Sequence, residues 1–188
     1  MGETARVVCG FVAVFAPPGV PLPEIGPDKL RHRGPDGHGS AQITLPWAHG
    51  AVAATRLAIL GGPGVPVPFV QDGAVLAYVG EVYNWRELRA ELSDGTPWET
   101  DGDTEVVLRA LRRWGLDALP RFNGMFGLCF IFEGRVLLAR DRAGEKPLYC
   151  QPLPGGGVAV ATESKALPGP LREADCWDAE VFEFDCLS

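Results

Sequence analysis

Between Met125 and Phe132 the chain runs through an apolar stretch of strand length, turns at Glu133-Gly134, and resumes its apolar course from Arg135 to Ala139. Two such runs joined by a two-residue turn containing glycine fold back on each other as antiparallel neighbours. The pattern returns at Pro147–Gln151 and Val158–Thr162, which flank Gly155-Gly156-Gly157. Parallel pairing would need a crossover of about a dozen residues or more, and these connections are too short for one.

The first half supplies further strands. Arg6–Phe15 is rich in Val and Phe and reads as a buried strand, broken by the prolines between Pro17 and Pro27; Ala41–Leu45, Gly50–Leu60 and Ala74–Val79 follow. Gly61–Pro68 holds three glycines and three prolines, so it is a loop, and no Gly-Lys-Ser/Thr closes it into a phosphate cradle. Two helices stand between the strand-rich halves. Asn84 is placed to cap a short helix that buries Leu88 and Leu92. The clearer helix spans Asp103–Trp114, with Val106, Val107, Ala110, Leu111 and Trp114 on one face and Arg109, Arg112 and Arg113 outside, and Gly115 stops it. Asp103 begins that helix, where the dipole favours a carboxylate, so capping alone could account for it. The class expected is α+β with layered antiparallel sheets. Residues 171–188 have no periodicity and are expected to form a tail or an edge that contacts a partner.

At 188 residues, with 46% hydrophobic and 22% charged side chains, the chain suits one domain. A formal net charge of -7 without clustered Lys and Arg argues against binding nucleic acid through its phosphates. The longest apolar stretch, around Val7–Pro18, is short of the roughly 20 residues a membrane span needs, and no Ala-x-Ala site follows it. A soluble, cytoplasmic chain is expected. Five cysteines without a Cys-x-x-Cys pair do not form a disulfide framework, and all but Cys9 read as buried small hydrophobes. His32, His38 and His49 lack zinc-site spacing, so neither metal nor cofactor is expected.

Eight motifs follow one another: Cys9-Gly10-Phe11, His32-Arg33-Gly34-Pro35-Asp36, Arg56-Leu57-Ala58-Ile59, Gly80-Glu81-Val82-Tyr83-Asn84, Asp103-Thr104-Glu105, Phe122-Asn123-Gly124-Met125-Phe126, Leu138-Ala139-Arg140-Asp141-Arg142 and Lys146-Pro147-Leu148-Tyr149. From Cys9 to about Leu167 this order resembles the glutaminase domain of asparagine synthetases, which are class II glutamine amidotransferases. The resemblance implies the fold of the N-terminal nucleophile hydrolases, an αββα sandwich of two antiparallel sheets flanked by helices. It also implies a domain over residues 9–170 preceded by a leader or propeptide at 1–8. In that family a terminal cysteine attacks the side-chain amide of glutamine, forms a glutamyl thioester and releases ammonia to a synthetase partner.

By the same resemblance Cys9 is the nucleophile and Gly80 lends its N–H to the oxyanion hole. Arg56 holds the α-carboxylate of glutamine, a two-pronged contact that suits guanidinium; Glu81 and Asp103 hold the α-amino group, and Leu57 and Ile59 complete the substrate contacts. Arg56 stands among Ala53-Ala54 and Leu57-Ala58-Ile59, where a cation needs a partner unless the strand end is solvated. His32, Arg33 and Asp36 read as a loop that shapes the pocket wall, and Arg140, Asp141, Arg142 and Lys146 as an ion-paired structural turn.

The chemistry matches the residue types. A thiol of pKa about 8.5 and an α-amine near about 7.7–8.0 exchange a proton readily at neutral pH. Two departures bear on it. While residues 1–8 remain attached, the nitrogen of Cys9 is a peptide amide without basicity, and cleavage after Val8 would restore the amine. Val79 occupies the position where the family has an oxyanion-hole asparagine, and losing such a donor costs about 10²–10³ in rate. The chain also lacks the Ser-Gly-Gly-x-Asp-Ser/Thr loop of the ATP-using half. Two functions are therefore expected to compete. One is a stand-alone glutaminase subunit serving a separate ATP-dependent synthetase-like protein in a homo- or hetero-oligomer; the other is a catalytically impaired scaffold of the same fold. A thiol redox role lacks a second cysteine near Cys9.

Overall fold

The computed structural model describes residues 9–58 and 64–169 and the backbone of 181–184. The expected leader, Ile59 and most of residues 171–188 lie outside those ranges. Two five-stranded sheets make up the described fold. The first contains β1 (Gly10–Ala16), β2 (Gly37–Thr44), β3 (His49–Arg56), β8 (Tyr149–Leu153) and β9 (Gly157–Ala161), in the order β2-β3-β1-β9-β8. The second contains β4 (Phe69–Gln71), β5 (Ala74–Val82), β6 (Gly124–Phe132), β7 (Arg135–Arg140) and β10 (Val181–Phe184), in the order β10-β7-β6-β5-β4. Every strand pairing within them is antiparallel.

Alternation along the strands builds the layers. In β1, Phe11, Ala13 and Phe15 point into the space between the sheets, where they meet Ala77 and Val79 of β5 and Cys129 and Ile131 of β6. Val12 and Val14 point the other way. Because both faces are covered, β1 is buried along its whole length, which is why it reads as a continuous apolar run. In β6, Leu128 and Phe130 face outward and receive α1 (Trp85–Leu92) and α2 (Asp103–Trp114) through Leu88, Leu92, Val106, Val107 and Leu111. The outer face of the first sheet is covered by two 3-10 turns, Pro27–Leu30 and Ser164–Ala166, whose Leu30 and Ala166 pack on Val12 and Val14. The α+β sandwich expected is the fold found. Its helical layer over the first sheet consists, among the described residues, of these short turns.

Several boundaries move for identifiable reasons. The β6–β7 hairpin turns at Glu133 and Gly134, both at positive φ (49° and 78°), as its length requires. β3 stops at Arg56 instead of continuing to Leu60, since its partner β2 begins at Gly37, opposite Arg56. β2 starts earlier than expected because Gly37–Ser40 form a polar edge that carries no hydrophobic signal. β4 begins at Phe69, directly after Pro68, and β5 runs on to Val82; residues 61–63 of the expected loop lie outside the described residues. Within the stretch expected as a tail, Val181–Phe184 pairs with β7 as the sheet's edge strand.

Asn84 stands at the N-cap position of α1 but makes no capping bond. Its side chain instead accepts from the Asn123 N–H at 2.9 Å and donates to the Arg121 carbonyl at 2.9 Å, which fastens the segment leading into β6. The turn after β7 is organised by backbone donors: the buried Asp141 carboxylate accepts from the N–H groups of Phe126, Glu145 and Lys146 at 2.9–3.2 Å.

Candidate active site

Because β1 and β3 are paired with Gly10 opposite Thr55, the residue before β1 lies beside the end of β3. Cys9 therefore meets Leu57. The Leu57 N–H donates to Cys9 Sγ at 3.3 Å, and Sγ lies 3.6 Å from the Leu57 carbonyl. The loop carrying His32, Arg33 and Asp36 braces this corner. Arg33 Nε donates to the Cys9 carbonyl at 3.2 Å, and both Arg33 and His32 pair with Glu163, at 3.3 and 2.9 Å. Asp36 receives the Ala58 N–H at 2.8 Å and gives its own N–H to the Arg56 carbonyl at 3.0 Å. Gly34 lets this loop lie flat on the strand end, for a Cβ there would run into the Arg56 backbone.

The opposite wall comes from the second sheet and its helix. Gly80 sits at φ 134°, and a side chain there would collide with the Met125 carbonyl of β6. Asp103, the first residue of α2, is only 4% exposed. Its Oδ2 accepts from the Tyr78 hydroxyl at 2.6 Å and from the Val82 N–H at 3.0 Å, so the carboxylate ties α2 to β5, a role beyond helix capping.

The two walls enclose one narrow pocket, lined by Cys9, Arg56, Leu57, Val67, Leu76, Tyr78, Gly80, Glu81, Asp103 and Thr104. Six of the residues expected to act together are thus brought together; Ile59 lies outside the described residues. The side chain of Val79, 1% exposed, packs in the layer between the sheets and touches the site of Gly127. Tyr78 lies outside every sequence motif, and Thr104 stands in one without an expected role. Tyr78 has the period of a core residue on β5, and only the fold reveals that its hydroxyl end reaches the pocket.

The charges suit an amino acid. Arg56, 7% exposed, offers a cation, and Glu81 and Asp103 offer anions, the complement of a carboxylate and an ammonium on one ligand. Burial pushes the Cys9 thiol above its ordinary value, against the Leu57 N–H and the Arg56 charge, and the Asp103 carboxylate raises it further. A thiol in that state needs a proton acceptor before it can attack. Burial also raises Asp103, opposed by the bonds from Tyr78 and Val82. Cys150 is pushed up to about 11 and Cys129 higher still by burial, so both behave as core residues. Among the described residues no three His, Cys, Asp or Glu side chains are grouped to hold a metal, and no helix is long and apolar enough to cross a membrane.

Two stacked antiparallel sheets with Cys9 at the head of a central strand are the fold expected of a class II glutamine amidotransferase. The chain belongs to the glutamine amidotransferase domain family, whose sequence profile matches residues 8–182. It is 32% identical over 174 residues to asparagine synthetase [glutamine-hydrolyzing] 1 of Bacillus subtilis, covering 85% of this chain and 26% of that protein. Against asparagine synthetase B [glutamine-hydrolyzing] of Escherichia coli it is 34% identical, covering 73% and 25%. Against the carboxyethyl-arginine beta-lactam-synthase of Streptomyces clavuligerus it is 42% identical, covering 71% and 24%. The chain spans about a quarter of the length of these relatives. Its fold matches that of the glutamine phosphoribosylpyrophosphate amidotransferase from B. subtilis with a TM-score of 0.67 at 23% identity, covering 84% of this chain and 42% of that one.

Proposed function

We propose that the pocket binds glutamine and, once Cys9 carries a free α-amine, hydrolyses it to glutamate and ammonia for an ATP-dependent synthetase-like partner. The convergence of Cys9, Arg56, Glu81 and Asp103 on one pocket carries this reading. Arg56 takes the α-carboxylate and the two acids take the α-ammonium, which extends the amide toward the thiol. The free amine of Cys9 accepts the thiol proton as Sγ bonds to the amide carbon, and the Gly80 N–H faces the developing oxyanion. The carbon–nitrogen bond then breaks, the amine returns the proton to the departing ammonia, and water hydrolyses the thioester to glutamate. On this reading residues 1–8 are a leader removed before Cys9, residues 9–170 are the amidotransferase unit, and residues 171–188 meet the partner. The assembly, a homo- or hetero-oligomer, works in the cytoplasm without metal or cofactor.

A chain beginning at Cys9, given glutamine and assayed for glutamate and ammonia, tests this. We expect release from that chain and none from its Cys9→Ala variant or from the 188-residue chain that retains Met1–Val8. Absence of glutamine binding by the chain beginning at Cys9 would refute the assignment.

Val79 supports a second reading, in which the pocket binds glutamine but turns it over slowly or not at all. A valine buried between the sheets supplies no donor to an oxyanion. In the chain beginning at Cys9, Val79→Asn is expected to raise the rate about 10²–10³-fold under this reading. An unchanged rate assigns the oxyanion donors elsewhere.

A further inference from the structure

Among the pocket-lining residues that lie outside the motifs, Tyr78 alone donates a short hydrogen bond to a residue inside them. Its ring packs with the helix-facing core of the second sheet, while its hydroxyl enters the pocket and reaches Asp103 Oδ2 at 2.6 Å. An O–H···O⁻ bond of that length is charge-assisted, roughly twice as strong as a neutral one. The second donor to the same oxygen is the Val82 N–H, at 3.0 Å. Tyr78, Gly80 and Val82 are alternate residues of β5, so one strand grips the carboxylate from both sides of the pocket glycine.

We propose that Tyr78 is a positioning residue for recognition of the ligand's α-ammonium: its hydroxyl fixes Asp103 in register with Gly80, and so at a set distance from the thiol of Cys9. This rests on the reading of the pocket as a glutamine site. Among the described residues, the other charged and titratable groups around Asp103 are Glu81 on β5, Cys9 ahead of β1 and Arg56 at the end of β3. None of these is altered by removing the Tyr78 hydroxyl. That removal takes away a bond opposing the upward pull of burial on Asp103, so protons compete with the ammonium at higher pH.

The test uses the 188-residue chain, in which the blocked amine of Cys9 prevents turnover. Calorimetry compares L-glutamine with glutaramate, the same molecule without its α-amino group. Tyr78→Phe is expected to weaken glutamine binding roughly tenfold, more at acid pH, and to leave glutaramate binding unchanged. In an Asp103→Asn background the same substitution should then cost glutamine nothing further. Equal losses for both ligands, or an undiminished loss in the Asp103→Asn background, would show a packing role and overturn the proposal. Carboxyl ¹³C NMR, with the Asp103 signal assigned through Asp103→Asn, gives a reading independent of glutamine. A titration that moves up in Tyr78→Phe supports the positioning role, and one that stays put removes it. If the unaltered chain binds neither ligand, the glutamine reading fails by itself and the Asp103 titration still decides whether Tyr78 holds that carboxylate.

Discussion

Asp103 and Glu105 stand two residues apart in the first turn of α2, both buried, and their surroundings could hardly differ more. Glu105 accepts from Gln71 Nε2 at 3.1 Å, from the Glu99 and Thr100 N–H groups at 3.0 and 2.7 Å and from the Thr100 hydroxyl at 3.0 Å. It also pairs with Arg109, one turn on, at 2.7 Å. Burial pulls its carboxyl up, but the bonds from Gln71, Glu99 and Thr100 outweigh that pull and leave it below the ordinary value. Asp103 has the bonds from Tyr78 and Val82 and from the main chain at Asp103 and Thr104, borders the pocket, and still ends above its ordinary value because burial wins. A carboxylate saturated by donors holds the fold together. One whose bonds do not offset burial at a pocket wall gains from a cationic ligand, at some expense in stability.

The comparison breaks most visibly if Glu105 proves dispensable. Glu105→Ala leaves Arg109 without its carboxylate and frees the donors at 99–100, and removal of one member of a buried pair costs about 3–5 kcal/mol. Urea unfolding should show that loss, with Tm lower by roughly 10 °C for a domain of this size. A loss below about 1 kcal/mol would mean that the donors find water instead.

Asp103 should behave in the reverse manner. Asp103→Asn keeps an acceptor for Tyr78 and Val82 and relieves the buried charge, so stability at neutral pH should change by no more than about 0.5 kcal/mol or should rise. Glutamine binding should fall about ten- to hundredfold, since a hydrogen bond to a charged group contributes about 1.5–3 kcal/mol. A destabilisation matching that of Glu105→Ala would place Asp103 among the structural carboxylates.

This contrast marks where sequence is legible and where it is not. The β6–β7 hairpin is readable because its apolar runs and its Glu133-Gly134 turn act locally, and α2 because its apolar face repeats at helical spacing. The start of β2 is hidden, since Gly37–Ser40 owe their strand conformation to pairing with β3 and not to any apolar residue of their own. Cys9, Arg56, Glu81 and Asp103 are legible through motif order, and the pocket they line is a product of the β1–β3 register and of α2 lying across β5. Two contacts escape any reading of residue types. The Leu57 bond to Cys9 Sγ is made by the main chain, and Tyr78 belongs by its period to the core. Asn84 misleads for a related reason: an amide suited to capping finds a better pair of partners in the backbone at Arg121 and Asn123.

The smallest effect discriminates the two acids by sign. The folded-state pKa of Glu105 is depressed, so its contribution is present above the unfolded value of roughly 4.3 and is lost as pH falls through the folded value. That of Asp103 is raised above the unfolded value of roughly 3.9, so stability associated with it is present below that value and is lost as pH rises through the folded value. Urea unfolding of the unaltered chain, Glu105→Gln and Asp103→Asn across the acid range separates them. The advantage of the unaltered chain over Glu105→Gln should shrink on acidification, whereas the standing of Asp103→Asn relative to the unaltered chain should improve as pH rises. If the stabilities of Glu105→Gln and Asp103→Asn, each taken relative to the unaltered chain, move in the same direction with pH, the two carboxylates share one role, and the division between a structural acid whose bonds outweigh burial and a pocket acid raised by burial does not exist.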